Sequence, residues 1–266
     1  MPAPFTPSPS IGASDPPLLD GPASNAATAR ELLNNRRHLR GATWGALTWS
    51  GRLVVGGSAT APSITVGAIE AVTLRDSTGV WRPYFTDAET PLGIGDVEGA
   101  PASLTADTWH YVYAHDSAGS GSPHFQVSTT APGTSLAWKN AGGTALYRYL
   151  GCFPTDGTGK PVPLVAHRGR SVFLNAVLPG SSDSQSDSAW HNLSLAAGVP
   201  PHVRLAVLSV SIDTGAFFRS IGDTSSSGHT TNQLTRPFVL DGTQRIEWNA
   251  NGSARAIDAH VHSFEE

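Results

Sequence analysis

His260-Val261-His262, with Asp258 two residues upstream, is the part of this 266-residue chain whose residue types and spacing come closest to a chemical site. Alternate residues of a strand project from one face, so Asp258, His260 and His262 would stand in one row. Two imidazoles in such a row are acceptable ligands for zinc and other first-row metals. The same parity puts Ala256 and Phe264 in that row, and neither offers a ligand atom. An alternating, exposed edge strand accounts for the histidines with no metal. The expectation is therefore no metal and no cofactor, with the strand held by a hairpin to Thr243–Trp248 and by burial of Ile257 and Val261 on the opposite face.

Motifs for nucleophilic or metal-assisted catalysis are missing: the chain contains no GxSxG, HExxH or Ser-x-x-Lys run. Gly93-Ile94-Gly95 lacks the remainder of a phosphate-cradling loop, and Asp96 with Glu98 reads as an acidic loop. Carboxylates far apart in sequence can still meet to cleave a glycosidic bond, which keeps a glycan-cleaving enzyme as the third reading. The single cysteine, Cys152, excludes an intrachain disulfide and, inside an apolar run, reads as a small buried hydrophobe. Trp44, Trp49 and Trp190 offer aromatic faces that suit the C–H face of a sugar, or else core and interface packing.

The scaffold that would position these residues is mainly β. Charged residues make up only 14% of the chain beside 28 glycines and 20 prolines, a balance suited to short strands and turns. A net charge of −4 creates no general attraction for nucleic acid or an anionic membrane. There is no apolar run of about 20 residues to span a bilayer, and Met1-Pro2-Ala3-Pro4-Phe5 does not read as a secretory leader. Strands are expected at Trp44–Trp49, Arg52–Val55, Ser63–Val66, Ala71–Leu74, Val80–Tyr84, Thr108–Ala114, His124–Thr130, Ala145–Phe153, Ser171–Asn175, Ala216–Arg219, Thr243–Trp248 and Ala254–Phe264. Arg204–Ile212 is nearly continuously apolar and is expected to be buried on both faces. Residues 85–107 read as a long loop.

Residues 1–41 form an extended, proline-rich arm followed by one short helix, Ala26–Leu39, with Thr28 and Glu31 spaced as a capping box and Gly41 as its stop. A first β-rich domain follows at 42–179. The polar stretch Gly180–Ser188 has nothing to bury and serves as the linker to a second β-rich domain at 180–266. Antiparallel β-sandwich or barrel-like domains are the expected architecture.

The densest run of strand and turn signals is Trp109–Leu164. It holds the Trp-x-Tyr-Val-Tyr strand at Trp109–Tyr113, Ser128-Thr129-Thr130-Ala131-Pro132, and Tyr147-Arg148-Tyr149-Leu150-Gly151-Cys152-Phe153 leading through Pro154 to Thr155-Asp156-Gly157-Thr158-Gly159. In that order these pieces, about a quarter of the chain, resemble a segment of tail-fibre-like and other accessory structural virion proteins of tailed bacteriophages. The resemblance implies a non-enzymatic β-rich component of a fibre, spike or baseplate-like appendage, made in the host cytoplasm and located in the virion. It carries over no catalytic residue. Its partners would be other virion proteins, reached through the N-terminal region, and further copies of itself, a trimer being favoured because Thr108–Ala114 is apolar or aromatic on both faces. In such a trimer three copies of His260 and His262 would supply six nitrogens, resembling the metal-bearing tips of some tail spikes. A receptor-binding adhesin for a host surface glycan is the alternative.

Overall fold

The computed structural model describes residues 52–69, 72–75, 81–84, 86, 88–116, 123–132, 147–167, 169–174, 179–212, 216–222 and 233–265. The chain divides into Met1–Ala46 and Leu47–Glu266, and every described residue belongs to the second unit. The expected arm, the helix Ala26–Leu39 and the strand Trp44–Trp49 lie outside the described residues.

Strands follow in the order β1 Arg52–Gly57, β2 Pro62–Val66, β3 Val72–Arg75, β4 Trp81–Tyr84, β5 Thr90–Leu92, β6 Trp109–His115, β7 His124–Ser128, β8 Arg148–Pro154 and β9 Leu164–His167. They continue with β10 Arg170–Phe173, β11 Gly180–Gln185, β12 His191–Ser194, β13 Leu205–Ile212, β14 Phe217–Ser220, β15 Gln233–Val239, β16 Arg245–Asn249 and β17 Arg255–Glu265. All pairings between the described strands are antiparallel, and the molecule is mainly β and sandwich-like. A nine-stranded sheet runs β15-β13-β17-β10-β9-β1-β2-β5, with β11 also on β17. Beside it are a three-stranded sheet β7-β6-β8, a second one β12-β16-β14, and the pair β3-β4.

Alternation decides which side of the large sheet is core. One register row crosses seven strands as Val66, Leu53, Ala166, Ser171, Phe264, Ala206 and Phe238, every one buried. The next row on the same face is Leu92, Ile64, Val55, Leu164 and Phe173, also buried. Each fully buried aliphatic or aromatic side chain in these rows contributes about 1.5–3 kcal/mol. Two of the sheet's edge strands contain proline, Pro91 in β5 and Pro237 in β15, which removes an amide donor, while the third edge, β11, has none.

Five sequence expectations are corrected here. Gly180–Ser188 is not a linker, because its first six residues pair with β17 along their whole length. A serine-rich strand needs no apolar face when its backbone is paired and one side stays in water. The boundary at 179/180 fails with it, since β10 and β17 are neighbours in one sheet and Leu47–Glu266 is one unit. β13 is buried on one face only: Ala206, Leu208 and Val210 are covered, while Val207 and Ser209 are half-buried and Ser211 is exposed. The turn at Asn249–Gly252 is left-handed at its end, with φ 55° at Asn251 and 73° at Gly252. It joins two sheets rather than a hairpin, because β16 pairs with β12 and β14. The stretch 85–107 is largely loop, yet it contributes the edge strand β5 and a short 3-10 turn at Ile94–Asp96.

The β8–β9 connection shows why glycine is needed at one turn. The Asp156 carboxylate accepts from the Thr158 amide (2.9 Å), the Thr158 hydroxyl (2.6 Å) and the Lys160 amide (3.0 Å), and these bonds hold its pKa below the usual carboxylate range. Gly159 closes the turn at φ +79°, and a Cβ there would lie 2.6 Å from the Leu104 carbonyl oxygen. Pro154 stays in the ladder opposite Trp109, its carbonyl accepting from the Val162 amide at 2.9 Å.

Candidate functional site

β17 does not present its histidines as the sequence pattern predicts. His260 is exposed between Ser209 and Gly180, and Asp258 is exposed between Ser211 and Ser182. The ladder to β13 then slips: Leu208 faces Val261 and Val207 faces Ser263, which leaves His262 as the extra residue of a bulge. The bulge reverses the parity of the residues beyond it, so Phe264 turns into the core instead of sharing the face of His260. Ile257 and Val261 are buried as expected. Among the described residues no group of three or more His, Cys, Asp or Glu side chains gathers to hold a metal.

Trp190 lies beside the outward face of the β12-β16-β14 sheet. The Arg219 guanidinium carbon sits 3.9 Å from the centre of the indole ring, and Arg219 Nε donates to Glu247 Oε2 at 2.7 Å. Register places Asn192 directly across from Glu247, so guanidinium, carboxylate and amide form one row beside the aromatic ring. These are groups that hydrogen-bond sugar hydroxyls, but one face of Trp190 is already occupied by Arg219. Trp44 and Trp49 lie outside the described residues.

Sequence reasoning missed an imidazole–aromatic set on β6. His110 stacks on Phe153 with centroids 5.3 Å apart, and its Nδ1 lies 3.2 Å from the Thr108 carbonyl, which makes Nδ1 the protonated nitrogen. At the other end of β6, His115 stacks on Tyr147 (4.2 Å) and on His124 (5.7 Å). His202, from the loop before β13, lies against Tyr111 (5.9 Å) and Tyr149 (5.3 Å), and neither of its ring nitrogens has a hydrogen-bond partner. Burial lowers the pKa of all three. His115 falls to about 4, with His124 lowering it further and Asp116 opposing, and His202 falls to about 4 with Arg204 adding to the effect. His110 is lowered against the bond to Thr108. The visible signal was histidine at each end of an aromatic strand.

Cys152 is fully buried opposite Tyr111. Gly93 donates its amide to Asp96 Oδ2 at 2.8 Å, so the turn's own carboxylate occupies the place a phosphate would take. Glu98 accepts instead from the Ser128 hydroxyl at 2.8 Å. From His110 to Ala114 β6 is buried on both faces within one chain, so its two-sided apolar character does not call for a neighbouring subunit.

The outward face of the nine-stranded sheet carries the apolar surface. Val54, Val165, Val172, Ser263, Val207 and Pro237 stand in one register row on the side opposite the core, with Val172 and Pro237 exposed, Val54, Val165 and Val207 half-buried and Ser263 buried. Val172 is 39% exposed, Leu174 on the same face of the chain 55%, and Val239 at the β15 edge 56%. No family model, curated protein or solved structure matches this chain.

Proposed function

We propose that this protein is a non-enzymatic structural component of a tailed-phage virion, a fibre, spike or baseplate-like appendage. In this reading it assembles with other particle proteins through its N-terminal region and with further copies of itself. The observation that carries the reading is the outward valine row, with Val172, Leu174 and Val239 exposed around it. Exposed apolar side chains gathered on one face of a folded domain offer a surface for protein contact. The resemblance of Trp109–Leu164 to accessory virion proteins supplies the type of particle.

The test is incorporation. Particles purified from a producing lysate contain the full-length chain, while a chain lacking residues 1–41 keeps a folded β-region and is left out. Absence of the full-length chain from particles, or normal incorporation of the truncated one, overturns the reading.

A glycan-binding adhesin is the second reading, favoured by the row of Arg219, Glu247 and Asn192 beside Trp190. Sugar hydroxyls would compete for the Arg219–Glu247 pair. Retention on a glycan array with no product released, lost in Trp190→Ala, distinguishes it from both the structural component and a glycan-cleaving enzyme.

A further inference from the structure

We infer that the outward face of the nine-stranded sheet is a self-association surface whose occupant is a second copy of this chain, related by a twofold axis that runs along the strands between β10 and β17. This rests on the reading of the chain as an assembly component and goes beyond it by naming the surface and the geometry. Association through the β5 and β15 edges is hindered by a proline in each, and the third edge, β11, is a serine-rich strand with no apolar side chain to bury. The face remains.

Charge selects where the axis falls. Arg170 and Glu265 stand directly across from each other on β10 and β17, both exposed. They do not form an ion pair: Arg170 Nη2 donates to the Ser263 hydroxyl at 3.3 Å, and the ion pairs among the described residues are His191–Asp187, Arg219–Glu247 and Arg245–Asp241. An axis along the strands preserves strand direction and reverses strand order. Placed over β10 it would set Arg170 against Arg170 of the second copy, and over β17 Glu265 against Glu265. Between the two strands it sets each Arg170 against the other copy's Glu265. The same operation sets Val165 on Val207, Val54 on Pro237 and Val172 over the buried Ser263, and in the row of the charged pair it sets His167 on Leu205 and Arg52 on Val239. Stacked sheets turn by about 30°, which displaces residues least near the axis, where the charged pair sits.

The area sets the strength. Six strands at about 4.8 Å spacing and two side-chain rows cover roughly 400 Å² per copy. That is half of the roughly 800 Å² per partner in a standard interface, so the isolated pair is weak.

The experiment is sedimentation velocity of the full chain from about 1 to 200 µM, which reaches weak, micromolar association. The wild type should shift from monomer to dimer. Arg170→Glu and Glu265→Arg, each placing like charges together twice, should weaken the dimer about tenfold or more. The Arg170→Glu/Glu265→Arg double variant should restore it, and Val172→Asp should be monomeric with an unchanged melting curve. A wild type that stays monomeric or sediments as a trimer overturns the inference, as does a double variant that melts normally yet stays dissociated. A chain found in particles but monomeric in solution sinks this inference and leaves the virion reading standing.

Discussion

Trp109 meets Phe264 edge-on, with ring centroids 5.8 Å apart and planes at 82°, while the indole N–H donates to the Ala196 carbonyl at 3.0 Å. The contact joins β6 of a three-stranded sheet to β17 of the nine-stranded sheet, at the place where the His262 bulge turns Phe264 inward. Phe264→Ala should cost about 3–5 kcal/mol in urea unfolding. A double-mutant cycle with Trp109→Ala should give a coupling of about 0.5–1.5 kcal/mol. Strictly additive losses would show that the two rings stabilise the fold independently.

Gly159 and Gly222 separate backbone strain from steric clash. Both have positive φ, +79° and +81°, but a Cβ at Gly159 would meet the Leu104 carbonyl oxygen at 2.6 Å, whereas nothing lies within 4 Å at Gly222. Gly222→Ala should cost about 1–2 kcal/mol from the left-handed conformation alone. Gly159→Ala should cost about 1–3 kcal/mol more, since the Asp156 turn must open. Equal losses in chemical denaturation would contradict the clash.

Acid should weaken the fold above the carboxylate range. His115 and His202 have folded pKa values of about 4 against an ordinary 6.5, so between those values the unfolded chain binds more protons than the folded one. Stability is therefore full above about pH 6.5 and is lost as pH falls towards 4. Each partly covered ring should account for about 1–3 kcal/mol of that loss. At Asp241, bonds from Arg245 and Thr243 outweigh burial and bring the carboxylate to about 2, so its contribution disappears only at lower pH. Urea midpoints at pH 7 and 4.5 measure the effect, and His202→Phe, which keeps an aromatic ring between Tyr111 and Tyr149, should shrink the difference. An identical difference in that variant would remove His202 from the explanation.

Removal of metal should leave the fold unchanged. Ile257, Ala259, Val261 and Phe264 are all buried on β17, enough to fix the strand without a ligand. Melting curves with and without EDTA should superimpose, for the wild type and for the His260→Ala/His262→Ala variant. An EDTA-dependent drop in Tm that disappears in the double variant would establish a structural metal at these histidines.

Local chemistry made much of the architecture legible. Strands β1 to β4, β6 to β8 and β17 coincide with runs whose β-branched and aromatic residues are bounded by turn formers. The Asp156–Gly159 and Asn251–Gly252 turns follow from residues that cap a turn or tolerate positive φ. Burial of Ile257 and Val261 was readable because alternation within a strand depends only on the period of two, and burial of Cys152 because it sits inside an apolar run.

Tertiary structure decided which strand lies beside which. Both arms of the Asn251–Gly252 turn look like a hairpin, yet β16 and β17 join different sheets, because each has apolar faces better covered by distant strands. Gly180–Gln185 has no apolar period to reveal a strand and becomes one only because β17 offers an unpaired row of backbone groups. The bulge at His262 is equally invisible locally: it arises from accommodating β10, β11 and β13 along one strand, and it alone sends Phe264 into the core. Side-chain periodicity is a property of neighbours in sequence, whereas pairing and register minimise unsatisfied backbone and exposed apolar area over the whole chain.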